Sequence, residues 1–278
     1  MSLQSPVKRP LVMGIVNVTP DSFSDGGRLM TPDAALEHAL RLIRHGADVL
    51  DIGGESTRPG SDPVSADEEA ARTLPLIAAL RARWDGPISI DTMKPGVARA
   101  AVAAGATMWN DVSALGHEPD SLSRAAELGC EVVLMHMKGA PKTMQDDPHY
   151  DDVVAEVTAR LAARAEAAMA AGVARDRIWL DPGIGFAKTT AHNLTLTARL
   201  DALVELGFPV LYAASRKRMI QGVDATARDA ADRLGGSLAL ALEAARRGAR
   251  MVRVHDVRET VQALQLQAAI AAQPEARA

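Results

Sequence analysis

Asp91, Asn110, Asp181, Lys217 and Arg253 each stand at or just past the end of a short apolar run. The runs are "ISID" (88–91), "TMWNDV" (107–112), "RIWLDP" (177–182), "PVLYAA" (209–214, followed by Ser215-Arg216-Lys217) and "MVRVHD" (251–256). Asn17 after "LVMGIV" (11–16), Asp51–Ser61 in "DIGGESTRPGS" and His136 closing "EVVLMH" (131–136) follow the same rule. Arg253 and His255 are two residues apart, as are Ser89 and Asp91, so each pair faces one way on a strand. Taken singly, each has an ordinary reading. Asp91 before "TMKPG" reads as a helix cap, and Asp181 in "DPGIGF" as an Asp-Pro turn residue. Asn110 reads as a turn residue, His136 as a hydrogen-bonded core histidine, and Lys217 as part of a solvated charge run. A polar group at every strand end is another matter, and its chemistry divides in two. Asp91, Asn110 and Asp181 can pair with the edge of a flat heterocycle such as an aminopyrimidinone, selectively, because the wrong ligand leaves buried polar groups unpaired. Arg58, Lys217, Arg253 and His255, placed in the outer loops beside glycine-rich turns, suit a phosphate or diphosphate.

Eight apolar runs alternate with Ala-rich stretches of helical spacing, such as "TPDAALEHALRLIRHG" (31–46) and "DDVVAEVTARLAARAEAAMAAG" (151–172). Helix starts are marked at Thr31-Pro32-Asp33 and Lys94-Pro95, and stops at Gly46, Gly105, Gly129, Gly172, Gly207 and Gly248. No linker interrupts the alternation. Eight such units in 278 residues predict an α/β fold, a (β/α)8 TIM barrel in a single domain over 11–271. Flexible ends are expected at 1–10 and 272–278. In such a barrel the strand ends gather on one catalytic face, so residues scattered in sequence meet in space.

Composition excludes several functions. A net charge of −4 with 3% aromatic residues gives no nucleic-acid footprint. No segment reads as a membrane span or secretory signal, and a reducing cytoplasm is the expected setting. The one cysteine, Cys130, reads as a buried inert thiol and rules out an internal disulfide. There is no His/Cys metal spacing, no G-x-G-x-x-G after a strand and no P-loop. A Mg2+ held by a phosphate and one protein oxygen fits, with Asn17 as the candidate ligand.

The motifs "MGIVNVTPDSFSDGG", "GADVLDIGGESTRPGS", "ISIDTMKPGVA", "WNDVSAL", "LMHMKGAPKTMQ", "DPGIGFAKT", "ASRKRMI" and "RVHDV" closely resemble those of the dihydropteroate synthase family, in order, from about Leu11 to Thr260. The resemblance implies a homodimeric, Mg2+-dependent enzyme and sulfonamide target. Its small-molecule substrates would be dihydropterin-6-ylmethyl diphosphate and 4-aminobenzoate, and its products dihydropteroate and diphosphate. It implies that Asp91, Asn110, Met135, Asp181 and Lys217 bind the pterin, and that Asn17, Arg58, Arg253 and His255 bind the diphosphate, with the metal on Asn17. Thr57, Pro59, Phe186, Ser215 and Lys217 would line the aminobenzoate side, with Phe23 a lid over it. Asp91, Asp181, Lys217 and Arg58 would serve the chemical step. Ala187, Ala213, Trp109 and Gln221 depart from the family's usual residues by adding bulk near the site's outer wall or barrel layer, or by shifting a helix start. Two other readings share the pocket: a pterin-dependent methyl transfer to a corrinoid protein, and a non-catalytic pterin-binding paralogue. The phosphate-type motifs "TPDSFSDGG", "STRPG" and "RVHDV" argue against the first, and the first two loops with Lys217 against the second.

Overall fold

The computed structural model describes residues 9–19, 31–56, 62–139, 144–146 and 148–273. Eight parallel strands run β1 (Leu11–Asn17), β2 (Val49–Gly53), β3 (Ile88–Asp91), β4 (Met108–Asp111), β5 (Glu131–Met135), β6 (Ile178–Asp181), β7 (Leu211–Tyr212) and β8 (Met251–Val254). They pair in the order β6-β5-β4-β3-β2-β1-β8-β7. A bridge between Leu180 and Val210, with Leu180 N–H donating to Pro209 O at 3.0 Å, brings β6 against β7 and closes the cylinder. The first chain segment thus pairs with the last: Leu11 with Met251 and Met13 with Arg253.

The helices lie outside the strands. They are α1 (Pro32–Arg44), α2 (Ala66–Arg81), α3 (Pro95–Ala103), α4 (Ser121–Leu128), α5 (Val153–Ala170), α6 (Thr190–Ala198), the short α7 (Asp201–Val204), α8 (Arg218–Val223), α9 (Leu234–Arg246) and α10 (Val257–Ala271). The expected start signals operate unequally. The Thr31 hydroxyl accepts from Ala34 N–H, whereas Lys94 supplies no side-chain cap and Pro95 alone opens α3. Gly14 lets α1 and α10 close onto β1, since a Cβ there would stand 3.1 Å from both Leu42 and Val257.

Strand alternation sorts the side chains into two cores. Ile52, Ile90, Trp109, Leu134, Leu180 and Val252 belong to the large core that packs under the helices. Met13, Val49, Met108, Val133, Trp179, Leu211 and Met251 form a separate cluster inside the barrel. This inner cluster is an apolar floor. Two residues further along the same strand faces stand Asp51, Asn110, Met135, Asp181 and Arg253, so the pleat alone lifts a polar layer above the floor. A cavity of about 280 Å3 opens on the opposite side of the floor, among Leu11, Val49, Met108, Trp179 and Met251. None of the strand-end polar residues lines it.

Candidate active site

Register places the polar residues side by side. Asn17 is level with Gly53, Gly53 with Asp91, and Asp91 with Asn110, across β1 to β4. Arg253, rising from β8, joins the group from the other side. Its Nε donates to Asp51 Oδ2 at 2.5 Å and its Nη2 to Asp91 Oδ2 at 2.8 Å. Asn110 Nδ2 donates to the same Asp51 oxygen at 3.2 Å. Among the described residues, the other oxygens, Asp51 Oδ1 and Asp91 Oδ1, and the Ser89 hydroxyl are buried with no hydrogen-bond partner. Orphaned acceptors of this kind are costly unless a ligand completes them.

Burial raises the Asp91 carboxyl to about 7, against the opposing pull of Arg253. Asp181 is also raised by burial, although Lys217 opposes it, and one of its oxygens accepts from Gly183 N–H at 2.7 Å. Lys217 is pushed down to about 8 by burial, with Asp181 pulling it back. Its Nζ donates to Ile184 O and stands 4.7 Å from the centre of the Phe186 ring. Ser215 Oγ meets His255 Nδ1 at 3.0 Å and accepts from His255 N–H at 3.2 Å. Met135 is buried and level with Asp181.

Asn17, Asp91, Asn110, Met135, Asp181, Phe186, Ser215, Lys217, Arg253 and His255 therefore gather at the strand ends of one barrel mouth. Phe23, Thr57, Arg58 and Pro59 lie outside the described residues. Single-residue readings fare differently. Asp91 caps no helix: the Thr92 hydroxyl accepts from Lys94 N–H instead, at 3.1 Å. Asp181 does make its turn, but with one oxygen only. His136 is a hydrogen-bonded core histidine, held near pKa 3 by burial and by the neighbouring Lys188. The division into deep carboxylates and outer cations fails at Arg253. It sits on a strand, and its guanidinium is the hub of the carboxylate layer. Trp109 is likewise misplaced by the sequence reading. It is fully buried on the helix side of the sheet, where its indole N–H donates to Thr92 O at 2.7 Å, because odd and even residues of β4 face opposite ways.

Two residues gain importance that their sequence contexts do not signal. Asp51 stands among the strand-end residues, but its ion pair with Arg253 spans 202 positions. Lys188, in "GFAKT", is only 3% exposed. The parity of Asp51 with Gly53 is the one signal that could have pointed inward.

Above this layer, the base of the second βα loop is anchored separately. Lys94 pairs with Glu55 and, at 2.6 Å, with the fully buried Glu69. Arg72 Nη1 donates to Gly54 O at 2.8 Å. These contacts hold Gly54 and Glu55, in the segment that leads into the loop.

Residues 13–255 match the family described as pterin binding enzymes. The chain is 46% identical over 260 residues to the dihydropteroate synthase of Escherichia coli, covering 94% of this chain and 91% of that one. The chain belongs to the dihydropteroate synthase family. Solved dihydropteroate synthases superpose on it closely. That of Xanthomonas albilineans with 4-aminobenzoic acid is 54% identical, with a TM-score of 0.89 over 96% of this chain and 94% of that one. That of Yersinia pestis in a sulfonamide drug complex is 45% identical, with a TM-score of 0.91 over 95% of both chains. Of the family departures, Ala187 holds a left-handed backbone at φ 49°, where glycine is relaxed. Ala213 is buried past the end of β7, and Gln221 accepts from Arg233 Nη2 at 3.2 Å.

Proposed function

We propose that this protein joins 4-aminobenzoate to (7,8-dihydropterin-6-yl)methyl diphosphate, giving 7,8-dihydropteroate and diphosphate, as a transferase of folate biosynthesis. The observation that carries the reading, beside the family membership, is the polar layer over the apolar barrel floor. Carboxylates of Asp91 and Asp181 and the Asn110 amide present paired donors and acceptors to a flat heterocycle edge, and the orphaned Asp91 Oδ1 awaits a donor. Met135 offers a soft surface for the ring face.

The chemistry follows from the charges. The bond from the pterin methylene carbon to the diphosphate oxygen breaks, and its electron pair leaves with the diphosphate. The resulting cation is delocalised over the pterin and stabilised by Asp91 and Asp181, already fixed in a site of low polarity. The aniline nitrogen then forms the new carbon–nitrogen bond and loses a proton. Lys217 and His255 face the departing anion. Arg253 uses Nε and Nη2 on Asp51 and Asp91, so Nη1 remains for the phosphate side. Phe186 and Ser215 form the aminobenzoate wall, and Thr57, Pro59 and Arg58 belong to it or to the anion site by family position. No activated serine or cysteine nucleophile is required.

Mg2+ fits the residues present. A Cβ at position 53 would lie 3.4 Å from Asn17 Oδ1 and 3.6 Å from Asp91 Cβ, so Gly53 keeps that space open beside a hard amide oxygen. Asn17 would hold the ion together with the diphosphate. Bound there, the ion supplies neutralisation of charge on the leaving group. A cytoplasmic homodimer completes the reading, supported by the family resemblance. Light scattering tests the dimer.

The deciding assay is diphosphate release that requires 4-aminobenzoate. Folded protein that forms no 7,8-dihydropteroate and releases no diphosphate when given both substrates would sink the proposal. Asp91→Asn is expected to lower kcat by about a hundredfold or more while leaving the melting temperature within a few degrees. Equal losses of stability and of activity per folded molecule would make Asp91 a structural residue.

A further inference from the structure

The turn after β6, residues 182–187, carries Phe186 to the mouth of the barrel, and two ammonium groups organise it. Lys217 takes Ile184 O from the mouth side. Lys188 takes the others from within. Its Nζ lies 3.0 Å from Phe186 O, 3.1 Å from Gly183 O, 3.3 Å from His136 O and 3.0 Å from His136 Nδ1. Among the described residues no carboxylate pairs with it. A buried ammonium ringed by carbonyls acts as a local cross-link, here between the end of β5 and the turn after β6. The turn has little freedom otherwise. Gly183 is left-handed at φ 66°, and a Cβ there would overlap His136 O. Asn193 Oδ1 holds Gly185 N–H at 2.8 Å from the opposite side.

We propose that Lys188 is a positioning residue: by tying the Gly183 and Phe186 carbonyls to His136, it fixes the place at which Phe186 stands against Lys217. It rests on the reading above in one respect, that Phe186 is a wall of the 4-aminobenzoate site. The chemistry of the residue suits the task. Only a flexible stem ending in a compact ammonium can address three carbonyls and an imidazole in so small a space, whereas arginine is planar and longer. His136 must then accept at Nδ1, which puts its proton on Nε2. Burial pushes Lys188 down to about 7, which agrees with an enclosed site.

Lys188→Met keeps the length of the stem and removes the donors. The expected result is a rise of about tenfold in KM for 4-aminobenzoate, with kcat and the KM for the pterin diphosphate within about twofold. Lys188→Gln keeps two donors on a shorter stem and should fall between. An unchanged KM for 4-aminobenzoate, or a loss of all parameters in step with the folded fraction, would overturn the proposal. Should the Met variant fail to fold, a Gln variant with native KM overturns it alone. The wild type is assayed first, so an enzyme without 4-aminobenzoate-dependent turnover condemns the functional reading rather than Lys188. A crystal structure of the Gln or Met variant then tests Lys188 independently: Phe186 displaced from Lys217 supports it, and an unmoved turn refutes it.

Discussion

Asp91 and Lys217 are tuned toward each other, one carboxyl raised to about 7 and one ammonium lowered to about 8 by burial. Chemistry at this site needs the carboxylate and the ammonium together. Below about 7 Asp91 takes up a proton and loses its charge, and above about 8 Lys217 gives one up. For the free enzyme, kcat/KM should therefore trace a narrow bell with limbs near those values. Lys217→Arg should shift the alkaline limb well upward, because arginine keeps its proton. A flat profile from pH 6 to 9 would show that neither group titrates in the productive site. Asp51, Asp91 and Arg253 also show why single-residue reasoning has limits. Each residue type is compatible with a cap, a turn or a surface charge, and only the contacts at 2.5 Å and 2.8 Å decide among them.

At the level of strands and turns, most of the architecture was legible. The eight apolar runs coincide with the eight strands to within one or two residues, and β8 ends at Val254, one residue before His255. Apolar periodicity and glycine stops are local signals, and they report local structure faithfully. The turns were less legible. Nothing in "SRK" or "GFAK" announces that Arg216 and Ala187 adopt left-handed backbones at φ 58° and 49°. Nor does a lysine after Ala187 announce burial. Those features arise from what the turn packs against, and that lies far away in sequence. They are testable in turn. A left-handed non-glycine residue carries a strain of roughly 1 kcal/mol, partly offset by the greater freedom that glycine has when unfolded. Ala187→Gly should accordingly stabilise the protein by about 0.5 kcal/mol, read as a higher denaturant midpoint at unchanged slope. Destabilisation would mean that the Ala187 methyl packs in a way that outweighs the strain.

The whole molecule is a closed ring whose first strand is completed by its last. A chain ending at Arg250 lacks β8 and α10, leaving β1 and β7 as open edges and Asp51 and Asp91 without their guanidinium. Such a chain should unfold without a sharp transition and bind a hydrophobic dye. Cooperative melting with native aromatic circular dichroism would contradict the closure that the register implies. The pairing of Arg253 with Asp51, 202 residues apart, also sets a timetable for synthesis. At roughly 5–20 residues per second, a ribosome delivers Asp51 about 10–40 s before the arginine that neutralises it. Throughout that interval Asp51 and Asp91 lack the guanidinium that bridges them in the folded protein. The nascent chain must therefore keep its mouth wet and unsealed until its final tenth has emerged, and the binding pocket is among the last parts of the protein to exist.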